Sequence, residues 1–149
     1  MRPTPEDQLL IGDVARVVRE RQCGRVEDKA IVDETSERRE LDDGTITRLG
    51  EQAFRLTSAE PSLRWLHMNA VGMDVTITER TDQVAALSLQ GPKSRAILNR
   101  VCASPVDGLK FFRMAPNSLA GRPVTISRTG YTGDLGYEIW MDAADALPV

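Results

Sequence analysis

The sequence holds one histidine, His67, and two cysteines, Cys23 and Cys102, in 149 residues. A histidine-rich metal centre is therefore out of reach, and no metal site is expected. A Ser-His-Asp triad would have to be built on His67, and no G-x-S-x-G accompanies it. His67 reads instead as a half-buried residue on a helix. The cysteines are far apart and in no motif, which points to reduced thiols in a cytoplasmic protein and not to a disulfide framework. No apolar run approaches the ~20 residues that span a bilayer. The opening MRPTPEDQLL lacks the basic, apolar and small-residue order of a signal peptide. A basic excess is missing too: the formal net charge is −3, which gives no support for a nucleic-acid partner. Internal repeats, low-complexity runs and a clear linker are also lacking. What is present, 41% apolar and 28% charged residues, is the profile of a soluble globular chain long enough for one core, and residues 1–149 read as a single domain.

The periodicity is mixed. Leu10, Val14, Val17 and Val18 share one face of an amphipathic helix over residues 5–22. Residues 25–43 are charge-rich around the apolar patch Ala30 to Val32, which predicts a short strand and then an exposed connection. TITRLG and AFRLTS read as paired strands with Leu49 to Gln52 turning between them. Pro61 suits a first helical turn, Leu63, Leu66 and Ala70 continue the helix, and Gly72 stops it. DVTITER alternates as a half-buried strand, and the more continuously apolar VAALSLQ predicts a more central one. Pro92 opens a third helix with Ile97 and Val101 as its stripe, supported by Leu98 and Cys102. FFRMA, GRPVTISR and GYEIWMD complete the strands. The expected class is α+β, mostly antiparallel strands with three helices.

One stretch stands out. SRTGYTGDLGYEIW, residues 127–140, spaces Gly130, Gly133 and Gly136 three apart beside Tyr131 and Glu138. As a long hairpin connection the glycines need no further explanation. Strand alternation, however, puts Tyr137 and Ile139 on one face and Glu138 with Trp140 on the other. A carboxylate on a tryptophan's face is either at a solvated sheet edge or part of a pocket.

SRTGYTGDLGYEI, together with LSLQGPKSRAIL, resembles the folate-binding domain of the aminomethyltransferases, from about Gly24 to Trp140. That family includes the glycine cleavage T-protein and the similar C-terminal module of dimethylglycine and sarcosine dehydrogenases. DDGTITRLGEQAFRLTSAEPSLRWL looks most like the dehydrogenase branch. The resemblance implies a tetrahydrofolate-binding domain of a one-carbon transferase acting on glycine-derived or N-methylated amines. Its partners would be a small-molecule amine or a lipoyl carrier protein. Glu138 would grip the pterin, because two carboxylate oxygens can accept the amino group and adjacent ring N–H together. Tyr131 would pack against the folate and offer a hydroxyl, and the glycines would let backbone approach the ligand closely.

The catalytic residue that the resemblance implies is an aspartate before the RLG strand. Asp43 matches best, with Asp42 second. A carboxylate there can orient the folate nitrogens, stabilise a developing iminium and assist proton movement. Leu41 to Thr45 also reads as an ordinary Asp-Gly turn. The chain departs from the family at Glu27-Asp28, where no tyrosine follows the Gly-Arg-Val segment. It departs again at Ser36-Glu37-Arg38-Arg39-Glu40, where glycines are usual. The family module is more than twice this long, so the chain reads as a fragment. A homo-oligomer or a complementing chain is therefore considered, as is a non-catalytic folate-binding or partner-subunit module. The K-G-C-Y-x-G-Q motif of iron–sulphur maturation factors of the same fold is absent. The strand–GxGxxG–helix unit is absent as well, so flavin chemistry is not expected within this chain.

Overall fold

A computed structural model describes residues 26–32, 40–58, 63–130 and 132–149, with side-chain surroundings from residue 44 onward. The chain divides into two compact units, Met1–Glu79 and Arg80–Val149. The expected helix over residues 5–22, Cys23, Pro61 and the connection at 33–39 lie outside the described residues.

In the first unit, strands β1 (Val26–Val32), β2 (Glu40–Arg48) and β3 (Phe54–Ser58) form an antiparallel sheet in that order. The β2–β3 pairing follows the expected TITRLG/AFRLTS hairpin, in the register Ile46 opposite Leu56. Its loop closes by Leu49 N–H donating to Ala53 O at 2.8 Å. Arg48 braces it, donating to the Gly50 and Glu51 carbonyls at 3.0 and 2.8 Å. β2 starts five residues earlier than the TITRLG run, at Glu40, so Asp42-Asp43-Gly44 is strand and not turn. Gly44 explains the difference. A Cβ there would run into the Thr57 carbonyl of β3, so the glycine serves close backbone approach.

Helix α1 (Leu63–Asn69) follows with Leu66 buried. His67 does sit on this helix, in its last turn, but is exposed and not half-buried. DVTITER forms no strand. Val75 and Ile77 are half-buried and Thr76 and Thr78 exposed, as the alternation predicts, but among the described residues no partner completes a ladder.

The second unit is a four-stranded antiparallel sheet in the order β4-β7-β6-β5, made of β4 (Val84–Gln90), β5 (Met114–Leu119), β6 (Arg122–Ser127) and β7 (Gly136–Asp142). Helix α2 (Ser94–Val101) carries Leu98 into the core with Tyr137, Ile139 and Met141 of β7 and Val124 and Ile126 of β6. The helix buries Ser94 and Leu98, while Ile97 and Val101 stay 45% and 51% exposed. The buried stripe is thus Ser94, Leu98 and the half-buried Cys102, not Ile97 and Val101. Among the described residues VAALSLQ is an edge strand, β4, and not a central one: Ala85 and Leu89 pack on the core, whereas Leu87 is exposed.

FFRMA contributes only its last two residues to a strand. Phe112 has φ 54°, and Arg113 N–H closes a turn onto Lys110 O, so β5 begins at Met114. Pro116, which has no N–H to give a ladder, is accommodated because β5 is the opposite edge. Ala120 and Gly121, with φ 50° and 74°, make the two-residue turn into β6, in the handedness that matches strand twist. The class is α+β with antiparallel sheets; two α-helices occur among the described residues, and the helix expected over residues 5–22 falls outside them. No described helix is long and apolar enough to cross a membrane. No group of three His, Cys, Asp or Glu that could hold a metal occurs among the described residues.

Candidate functional site

The glycine stretch is the connection between β6 and β7, which pair with Ser127 opposite Glu138 and Thr125 opposite Trp140. The hairpin reading is therefore correct as far as the backbone goes. On its other side β7 pairs with β4, Ser88 opposite Glu138 and Gln90 opposite Gly136. Glu138 thus lies in an interior strand, and the solvated-edge explanation for its carboxylate fails. The alternation holds as expected: Tyr137, Ile139 and Met141 are buried in the core, while Glu138 and Trp140 are half-buried on the other face.

On that face the side chains are joined by hydrogen bonds. Thr129 Oγ1 donates to Glu138 Oε2 at 2.5 Å, and Ser127 Oγ reaches the same oxygen at 3.2 Å. The two hydroxyls are 2.8 Å apart, and Trp140 Nε1 donates to Ser127 Oγ at 3.2 Å. Ser127 and Thr129 are only 2% and 3% exposed, so these contacts replace water where an unpaired hydroxyl would be costly. All the bonds to Glu138 fall on Oε2. Among the described residues no donor occupies Oε1, and no cation pairs with the carboxylate. The group is a charge held by neutral donors, with lone pairs left for an N–H from outside.

Two of the three glycines lie against a side chain of β4. A Cβ on Gly136 would overlap the Gln90 side-chain amide, and one on Gly130 would come within 2.9 Å of Gln90 Oε1. The Gln90 amide approaches the backbone closely at these two glycines, while the space beside Gly133 is open. Gln90 Nε2 donates to Ser88 Oγ at 2.8 Å, and Thr132 Oγ1 donates to Gln90 Oε1 at 3.1 Å. The far end of the loop is tied to the start of α2, because Leu135 O accepts from Gly91 N–H at 2.8 Å and Ser94 Oγ at 3.1 Å. At the near end Arg128 N–H donates to Arg113 O, and Phe112 N–H to Arg128 O.

Tyr131 lies outside the described residues. Asp43 is placed by its backbone alone, in β2 opposite Ala30, with Asp42 opposite Ile31. Consecutive strand positions alternate, so Asp43 shares its parity with Thr45 and Thr47, and Asp42 with Gly44 and Ile46. Asp43 and Glu138 belong to different units, and the geometry of the Glu138 cluster is that of the second unit by itself. Sequence reasoning missed Ser127, Thr129 and Gln90. Ser127 ends β6 and Thr129 lies two residues beyond it, and only the β6–β7 register sets Ser127 opposite Glu138.

Comparison with known proteins agrees with this architecture. The family model described as the GCVT N-terminal domain matches residues 14–149. The aminomethyltransferase of Streptomyces avermitilis is 38% identical over 110 residues, covering 71% of this chain and 30% of that protein. The aminomethyltransferase of Bacillus subtilis is 39% identical over 114 residues, covering 73% of this chain and 31% of that protein. The crystal structure of the glycine cleavage system aminomethyltransferase T from Bartonella henselae superimposes with a TM-score of 0.66 at 26% identity, covering 85% of this chain and 34% of that one. The chain thus spans about a third of the length of these relatives. A match that runs through both compact units, from residue 14 to the last, assigns the chain to the GCVT N-terminal domain family.

Proposed function

We propose that this chain is the part of a one-carbon transferase that binds tetrahydrofolate, with Glu138 gripping the pterin. The observation that carries the reading is the Glu138 carboxylate: interior to the sheet, held through Oε2 by Thr129 and Ser127, and without a protein donor on Oε1 among the described residues. A flat ring that presents an amino group beside a ring N–H fits an ionised, acceptor-only group of this kind. Trp140 supplies an apolar surface next to it, and Tyr131 would pack against the ligand from the loop. Membership of the GCVT N-terminal domain family and the resemblance of the matched relatives to this chain support the same ligand.

Tetrahydrofolate, when bound, supplies N5 as acceptor of the one-carbon unit. Asp43 would orient the folate nitrogens and take up or return the proton exchanged as the amine departs, with Asp42 as the other candidate. The donor would be a glycine-derived aminomethyl group on a lipoyl carrier protein, or the iminium formed when a flavin-type oxidant on another chain or domain removes two electrons from an N-methylated amine such as dimethylglycine or sarcosine. We place the protein in the cytoplasm, with its thiols reduced; Cys102 is free. A second reading, a folate-binding or partner-subunit module without transfer, is favoured by one observation. Glu37-Arg38-Arg39-Glu40 puts four charges where the family usually has glycines before its aspartate.

The test is formation of 5,10-methylenetetrahydrofolate from each donor class by the protein and by Asp43→Asn. Transfer by the wild type that Asp43→Asn abolishes, with folate binding kept, supports the transferase. Folate binding without transfer from any donor supports the second reading. Absence of both rejects the folate assignment.

A further inference from the structure

The geometry around Glu138 points to a further device, which rests on the folate reading above: we propose that Thr129 and Ser127 are positioning residues that orient the Glu138 carboxylate toward the ligand's amino group. An ionised carboxylate only accepts, so the Thr129 proton goes to Oε2 across the 2.5 Å contact. Ser127 receives the Trp140 indole N–H at 3.2 Å and has one proton of its own to give. It can give that proton to Thr129, 2.8 Å away, or to Oε2, 3.2 Å away.

These two choices have different consequences. With Ser127 donating to Thr129, the bonds run in one direction from Trp140 through both hydroxyls to the carboxylate, and one acceptor position on Oε2 stays open beside the two on Oε1. A ligand edge with two adjacent N–H donors can then engage both oxygens. With Ser127 donating to Oε2, that oxygen is filled and only Oε1 remains, so a two-donor edge can no longer bridge both oxygens. The Ser127 rotor therefore sets whether a two-donor edge can engage both Glu138 oxygens or Oε1 alone. Both hydroxyls are almost wholly buried, so water does not compete for either arrangement.

Selectivity for the amino group is the readout, because a loss of folding or of general packing leaves it unmoved. The full chain is titrated with 5-formyltetrahydrofolate and with its 2-desamino analogue, for the wild type, Glu138→Ala, Thr129→Val, Thr129→Ser and Ser127→Ala. The wild type is expected to prefer the amino-bearing ligand, and Glu138→Ala to lose that preference. Thr129→Val should reduce the preference roughly tenfold, on the scale of one lost hydrogen bond to a charged group. Thr129→Ser, which keeps the hydroxyl, should restore it, and Ser127→Ala should reduce it by a smaller factor. If Glu138→Ala leaves the preference unchanged, the folate assignment itself falls. If Glu138→Ala removes the preference while Thr129→Val and Ser127→Ala leave it intact, or weaken both ligands equally, Glu138 stands and the positioning role is overturned. Should Thr129→Val not fold, Thr129→Ser and Ser127→Ala decide by the same ratio.

Discussion

Strand β7 has two faces that are filled by different physics. Tyr137, Ile139 and Met141 enter a hydrocarbon core with Leu98 and Ile126, while Glu138 and Trp140, one residue out of step, meet two buried hydroxyls. The first face must fill volume and exclude water, with one polar contact at its rim, where Arg95 Nε donates to the Tyr137 hydroxyl at 3.1 Å. The second must satisfy every donor and acceptor individually, because a buried hydroxyl without a partner costs about 1–3 kcal/mol. A shift of one residue in the register between β6 and β7 would exchange the two sets, so the hairpin that carries the glycine stretch fixes core and site together.

The largest effect is expected on the hydrocarbon face. Tyr137 is 0% exposed, and Tyr137→Ala should cost about 3–5 kcal/mol of stability in a denaturant titration of the full chain. On the polar face, Glu138→Ala removes the acceptor of Thr129 and should cost about 1–3 kcal/mol, whereas Glu138→Gln keeps an acceptor oxygen and should cost less. If the two substitutions cost the same, the hydroxyls are satisfied by something other than the carboxylate. Gly136→Ala should cost about 1 kcal/mol, because the Gln90 amide that fills its space is the movable end of a side chain. Combining it with Gln90→Ala should recover most of that loss. Gly44→Ala makes the useful contrast: it drives a methyl into the Thr57 backbone, and no side-chain truncation should rescue it. The smallest effect concerns Cys102, whose thiol burial pushes up from its ordinary range. In a Cys23→Ser background its alkylation rate should rise at higher pH than that of a free cysteine. In denaturant the profile should return to the ordinary one.

These same contrasts explain what the sequence disclosed. Element types were legible wherever the partner was local: the TITRLG/AFRLTS hairpin, the helix at Leu63, and the alternation of GYEIWMD all follow from period and turn chemistry. Where the answer depended on a distant chain segment, local pattern misled. Asp43-Gly44 has the wording of a turn but is held in a strand by the close passage of Thr57. Among the described residues VAALSLQ, apolar enough for an interior strand, lies at an edge, and DVTITER alternates without finding a ladder. In the site, Glu138 and its face were readable from alternation beside the motif. Gln90 was not, since its place against Gly130 and Gly136 depends on β4 lying next to β7.

The most direct test of the polar face as a ligand site is a titration of the full chain with 5-formyltetrahydrofolate, followed by the fluorescence of Trp65 and Trp140, for the wild type and for Glu138→Ala. Saturable binding by the wild type that Glu138→Ala weakens by roughly 30- to 1,000-fold, the loss expected for a buried charge-assisted contact, is the result this account predicts. Equal affinity in both folded proteins, or no binding by a folded wild type, would contradict it.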